Sequence, residues 1–330
     1  MKNKKIILQV LMFSSPLLVL WLVLEYHAWK QQNSYTLRLS EYLESRDRAE
    51  VLVLGSSHAL GVNATLMGVS ALNLANVSQS LGVDRALFLK LSPSLPKLKL
   101  VILPISYFSL RYRLKDSPEY WREYFNWHYF GVFGDSKWTS KWDARSLSLA
   151  LTFRAAEPSY LLKETNWGRK VASWISPPKA QSAAIVDNAV STSDGRMGAQ
   201  KPWGQAGSSE DRLRTVHSSM SAANIDYNLN ACRDIMSVAK ARGVKVVLLT
   251  LPVSEEFLIM SQPGIWRERD RAIDLLKKEF PDTVHFEDLK QDIRLTDKDF
   301  TNADHLSLDA FNQLSGWLGN EVVKPRLVPK

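Results

Sequence analysis

The chain has 330 residues, 45% of them hydrophobic and 23% charged, which suits one large domain or a domain with a long insertion. Cys232 is the single cysteine, so an intramolecular disulfide and a Cys-rich zinc site are excluded. The net charge of +8 sits mainly at the ends, in Lys2, Lys4 and Lys5 and in Lys324, Arg326 and Lys330, and basic ends around a nearly neutral body exclude a general nucleic-acid footprint.

Residues 6–24 are apolar apart from Gln9, Ser14 and Ser15, with Pro16 in the middle. A helix of that length covers about 28 Å, close to the hydrocarbon thickness of a bilayer. The preceding lysines favour a cytoplasmic N-terminus, and Trp21, Tyr26 and Trp29 suit an interfacial belt. A cleaved signal peptide has a shorter apolar core and a small-residue cleavage site, which residues 25–29 do not offer. The expectation is an uncleaved membrane anchor over residues 1–30, with the body, residues 31–330, outside the cytoplasm.

Residues 36–49 read as a polar helix and 50–54 as a buried strand ending at Gly55. Residues 71–74 read as a strand, 81–91 as a helix and 98–104 as a strand. The alternation then breaks. Residues 106–223 hold seven of the eleven tryptophans, begin in an aromatic run and end in a Ser/Ala/Gly-rich stretch that reads as a loop. Within 97–170 there are 13 basic and 7 acidic residues, a basic stretch suited to an anionic polymer or lipid head groups. Alternation resumes with a helix over 224–241 closed by Gly243, a strand over 244–251, a helix over 265–280, a strand over 283–286 and a last helix over 306–323. Two-sided apolar strands alternating with helices predict an α/β fold with about five parallel strands covered on both faces. The segment 106–223 is an insertion or lid. Tyr120, Trp121, Tyr124, Trp127 and Tyr129 in it suit a lid core, sugar stacking or a membrane interface.

In open parallel sheets, sites form at the carboxyl ends of strands. After the first strand stands Gly55-Ser56-Ser57-His58. The glycine allows a sharp turn, and a serine there can project its hydroxyl above the sheet with local amides ready for an oxyanion. A serine at this place serves equally as a helix cap. The serine needs a base, and of the six histidines His305, just before the last helix, is best placed. His58 is set aside because adjacent residues in a turn usually point apart. If Ser57 and His305 form a pair, Oγ should lie within about 3–4 Å of the ring. No cofactor motif or metal-ligand cluster is visible, so no cofactor and no metal site are expected.

These motifs resemble the SGNH (GDSL-like) hydrolases, especially the membrane-anchored envelope branch with the DltD-like and alginate-acetylation proteins. Gly55-Ser56-Ser57 matches the Gly-Ser-Ser-x element of that branch, and Asn302-Ala-Asp-His305 the late Asp-x-x-His element. The resemblance spans the first three strands and the region from about residue 224. It implies a three-layer, flavodoxin-like fold with Ser57 as nucleophile and His305 as base. The aspartate position holds Asn302, which orients an imidazole without supplying charge. Asp304 or Asp299 could take the role, or Asp304 could simply cap the last helix. The oxyanion glycine and asparagine are not plainly present; Asn76, with Ser78 and Gln79, occupies one donor loop, and Ser106 and Tyr107 stand where the other would be.

The implied function is that of a serine esterase or O-acyltransferase acting on acyl or acetyl groups of an envelope or extracellular polysaccharide, or on a lipid. A single-pass inner-membrane location with a periplasmic body, and a membrane acyltransferase as partner, follow from the resemblance. Asn302 motivates the alternative of a catalytically inactive polysaccharide-binding or scaffold protein.

Overall fold

A computed structural model describes residues 2–29, 33–135, 209–210, 213–214 and 218–327. The chain divides into two units. Of the described residues the first holds 2–29 and 33, and the second all the others.

The first unit is the helix α1, Lys2–Trp29, which continues through Pro16. Its window Lys4–Val23 has a mean hydropathy of 2.3, so by length and composition α1 can cross a membrane.

The second unit opens with α2, Ser34–Ser45, and is built on five strands: β1 (Val51–Val53), β2 (Ala71–Asn73), β3 (Leu100–Pro104), β4 (Lys245–Thr250) and β5 (Val284–Asp288). All pair in parallel, in the order β2-β1-β3-β4-β5. Every residue of β1 and β3 is buried, as expected of strands covered on both faces. The helices between them are α3 (Leu81–Leu91), α4 (Arg122–Phe130), α5 (Ile225–Ala241), α6 (Glu255–Met260) and α7 (Pro263–Glu279). A short hairpin follows, β6 (Phe300–Asn302) with β7 (His305–Leu306), and then α8, Leu308–Trp317.

One face of the sheet, through Val51, Val53, Leu100, Ile102, Val247 and Leu249, packs on Phe311 and Leu314 of α8. Helix α5, which packs on α3, lies against β4 outside that cluster. The helix expected over 81–91 is α3 to the residue. The helix expected over 306–323 starts two residues later, at Leu308, and after Trp317 widens into a π-helical segment, Leu318–Val323. The segment expected to be an insertion or lid contains α4, closed by Gly131 at φ 66°. Trp121, Tyr124 and Phe125 are buried, and the Phe125 ring stacks 5.3 Å from that of Tyr35 in α2. Tyr35 also stacks on Tyr129, so this part of the aromatic run is core, while Trp127 is exposed. Most of the remaining insertion, including residues 136–208, lies outside the described residues.

Gly319 in the π-helical segment meets the backbone of Met67 directly. An added Cβ would fall 2.2 Å from the Met67 carbonyl oxygen. Backbone cannot yield as a flexible side chain can, so Gly319→Ala should lower stability by about 1–3 kcal/mol through over-packing. The check is the urea midpoint, which moves down in the variant and stays put if the helix end simply slides away from residue 67.

Candidate active site

The order of the parallel strands places a crevice between the carboxyl ends of β1 and β3, where the chain reverses its direction across the sheet. Gly55 leaves β1 with φ +111°, and a Cβ there would lie 2.9 Å from the Pro104 ring at the end of β3. Both the backbone angle and the close approach call for glycine. Gly55 N–H donates to the Asp84 carboxylate at 2.8 Å, and its carbonyl accepts from Asn76 N–H at 3.1 Å. Ser56 then caps a short 3₁₀ turn, Ser57–Ala59, its hydroxyl accepting from His58 N–H. Ser57 opens that turn, so its own N–H is at the free amino end.

The opposing residues come from the hairpin. Asn302 of β6 pairs with His305 of β7 around the two-residue turn Ala303-Asp304. His305 Nδ1 lies 2.9 Å from Asn302 Oδ1 and 2.9 Å from Asp304 Oδ1. Asn302 Oδ1 is identified by its other bond, since it also accepts the Asp304 N–H at 3.1 Å. Nδ1 therefore faces two acceptors and carries the ring proton. Nε2 is then the acceptor of the neutral ring. It lies 2.9 Å from Ser57 Oγ, as the expected Ser57–His305 pairing requires.

Asp304 does not cap the last helix; Ser307 does, by accepting from Ala310 N–H. The Asp304 side chain turns inward and is 1% exposed. Its second oxygen lies 3.1 Å from His58 Nε2 and accepts from Tyr107 OH at 3.0 Å. His58 Nδ1 is in turn 3.4 Å from Ser106 Oγ. Two dipeptides thus interlock: Ser57 meets His305 while His58 meets Asp304. His58 was set aside on sequence grounds because turn neighbours diverge. They do diverge here, and the divergence is what lets one turn reach both members of the opposing pair. Ligand atoms of His58, Asp304 and His305 lie within 4.8 Å of one another, and the Nε2 of His58 and Nδ1 of His305 are already directed at the carboxylate.

The remaining candidates divide. Asn76 Oδ1 accepts from Val77 N–H at 2.8 Å and from Ser34 Oγ at 2.9 Å. A backbone N–H can only donate, so Oδ1 is fixed there, and among the described residues the Nδ2 donor has no acceptor. Ser78, at φ 56°, gives its hydroxyl to Glu119. Gln79 is buried, with Nε2 donating to Asp84 at 2.7 Å and to the Leu74 carbonyl at 3.3 Å, so it braces the loop. Asp299 closes a capping box with Thr296 and is committed there. The hydroxyls of Ser106 and Tyr107, which stand where a second oxyanion donor is expected, are directed instead at His58 and Asp304.

No protein-family model matches the chain, and no curated protein does. Among solved structures, one described as a platelet activating factor from Streptococcus pneumonia is similar over 96% of this chain and 99% of its own, at 14% identity and a TM-score of 0.41. A likeness that remote carries no functional argument.

Asp84, which holds Gly55, is itself perturbed. Burial pushes its carboxyl up to about 7 from the usual 3.8, against the pull of the bonds from Gln79 and Gly55. Burial likewise raises Glu123 to about 7. A carboxyl raised in the folded state keeps a proton that the unfolded chain releases, so stability falls as pH rises from about 4 to about 7 and levels above. Asp84→Asn keeps the Oδ1 acceptor and removes the charge. Urea unfolding of the variant should show a shallower fall over this range, with Glu123 and the likewise raised Asp135 supplying what remains, and higher stability than the wild type near pH 8. An unchanged slope would remove Asp84 from this account.

Proposed function

We propose that the protein is a membrane-anchored serine esterase or O-acyltransferase of SGNH type, acting on acyl groups of an envelope or extracellular polysaccharide. The observation that carries the chemistry is the unbroken line from Ser57 Oγ through His305 to the buried Asp304 carboxylate. A serine hydroxyl is a weak nucleophile until a base accepts its proton, and an imidazole is a good base when a carboxylate holds the proper tautomer. Here Ser57 Oγ attacks the acyl carbon as its proton passes to Nε2. The carbonyl π electrons move to oxygen. The Ser57 N–H and Asn76 Nδ2 are the donors assigned to that oxyanion. Collapse breaks the bond to the leaving alcohol, which takes the proton from His305. The acyl-enzyme then passes its acyl group to water or to a sugar hydroxyl, with His305 as base again.

Asn302 does not leave the site without charge, because Asp304 lies as close to Nδ1 as Asn302 does. This favours a catalytic reading over an inactive scaffold. The anchor rests on α1, whose length and composition suit a span, with the basic N-terminus inside and the body outside the cytoplasm. The glycan rests on the resemblance to the envelope branch, and the basic stretch that begins near residue 97 suits an anionic polymer. A membrane acyltransferase is the partner that would supply acyl groups across the bilayer.

The full-length protein in detergent should hydrolyse p-nitrophenyl acetate, and Ser57→Ala and His305→Ala should abolish this. Asp304→Asn, which leaves Asn302 Oδ1 to hold the tautomer but removes the charge, should cut kcat by about 10²–10⁴-fold. Asn302→Ala, which leaves Asp304 in place, should cost less than about tenfold. Full activity in Ser57→Ala would sink the assignment, and a larger loss at Asn302 than at Asp304 would exchange their roles.

A further inference from the structure

Asp304 immediately precedes the histidine it serves, and side chains of consecutive residues ordinarily project in different directions. Something beyond the hairpin must hold this carboxylate against Nδ1. The carboxylate is held there by His58 and Tyr107. Its far oxygen meets His58 Nε2 at 3.1 Å and Tyr107 OH at 3.0 Å, while its near oxygen meets His305 Nδ1 at 2.9 Å. His58 is 2% exposed. Its ring is wedged edge-on against Phe108 at 5.1 Å and against His305 at 4.7 Å. Its Nδ1 faces the Ser106 hydroxyl, which can donate to it and so leave Nε2 as the protonated nitrogen. A buried imidazole held in this way has little use except to present one N–H to the carboxylate.

Resting on the triad proposed above, we infer that His58 is a positioning residue for catalysis: with Tyr107 it clamps the outer oxygen of Asp304 so that the inner oxygen faces His305. The two anchors come from different strand ends, His58 after β1 and Tyr107 after β3. His58 directly follows Ser57 in the chain, so one short turn sets both the attacking oxygen and the group that orients its base. The clamp fixes the aspartate in two directions, where a single bond would leave the carboxylate free to rotate about the axis of that bond. Its effect falls on the rate of the chemical step and not on substrate binding, because His58 and Tyr107 are each 2% exposed and offer almost no surface to a substrate.

The test uses full-length protein in detergent with p-nitrophenyl acetate, and Ser57→Ala run in parallel. His58→Phe keeps a ring and removes the N–H; His58→Gln places an amide N–H near the position of Nε2. Expected are a fall in kcat of about 10–100-fold for His58→Phe with KM within about twofold, and a value within about fivefold of wild type for His58→Gln. Tyr107→Phe, which removes only a hydroxyl, should lower kcat by about 3–10-fold with KM unchanged. A purely structural histidine would show no such rescue by glutamine and no division between kcat and KM. The inference is overturned if folded His58→Phe keeps kcat within about twofold, or if folded His58→Gln is as impaired as a variant without the N–H. Should His58→Phe fail to fold, the other two variants decide: active His58→Gln with slowed Tyr107→Phe supports the clamp, and any other pairing overturns it. Activity that survives Ser57→Ala defeats the triad instead, whatever His58 does.

Discussion

A carboxylate that is 1% exposed must be met by hydrogen-bond donors, because an unpaired buried charge is among the most costly features a fold can contain. Asp304 is met by His305, His58 and Tyr107, which arrive from three separate parts of the chain. Satisfying this one group therefore draws together the ends of β1 and β3 and the hairpin that precedes α8. The geometry of the site is the solution to that burial problem. The same donors that make the charge tolerable also aim it.

The scaffold behind it explains why the donors can arrive. Strand order brings the residues after β1 and β3 to the same end of the sheet, side by side. Gly55 lets the chain leave β1 within van der Waals reach of Pro104, where any other residue would meet the proline ring. Beneath the turn, Asp84 and Gln79 bind Gly55 and the β2–α3 loop from inside. The polar network is thus two-tiered. An inner tier around Asp84 fixes the turn, and an outer tier around Asp304 fixes the His305 ring.

Much of this was legible in the sequence, and the parts that were not share a cause. The α3 helix and the strands β1, β3 and β4 lie in apolar runs bounded by turn residues, so each could be placed from its own residues. Ser57 and His305 could be paired because a serine after a first strand and a histidine before a last helix both belong at one end of such a sheet. The hairpin of β6 and β7 is not legible because Phe300-Thr-Asn302 and His305-Leu306 are both short and mixed in polarity, whereas β1, equally short, is apolar throughout. Without that hairpin, the pairing of Asn302 with His305 and the inward turn of Asp304 could not be foreseen. Ser78 and Gln79 shared a loop with Asn76 and could not be ranked by spacing alone; their hydrogen bonds to Glu119 and to Asp84 separate them.

The sequence by itself determined the α/β alternation, the apolar N-terminal helix, the nucleophile candidate and its base. Those are properties of local pattern, and a pattern survives without knowledge of what it packs against. Tertiary structure alone decided which acidic or amide group stands behind His305, and that His58 belongs to the site. The first turns on side-chain directions within one short hairpin, and the second on directions of side chains 246 residues apart along the chain. Direction at that range is set by the register of a hairpin and the exit angle of a glycine turn, neither of which spacing in the sequence records.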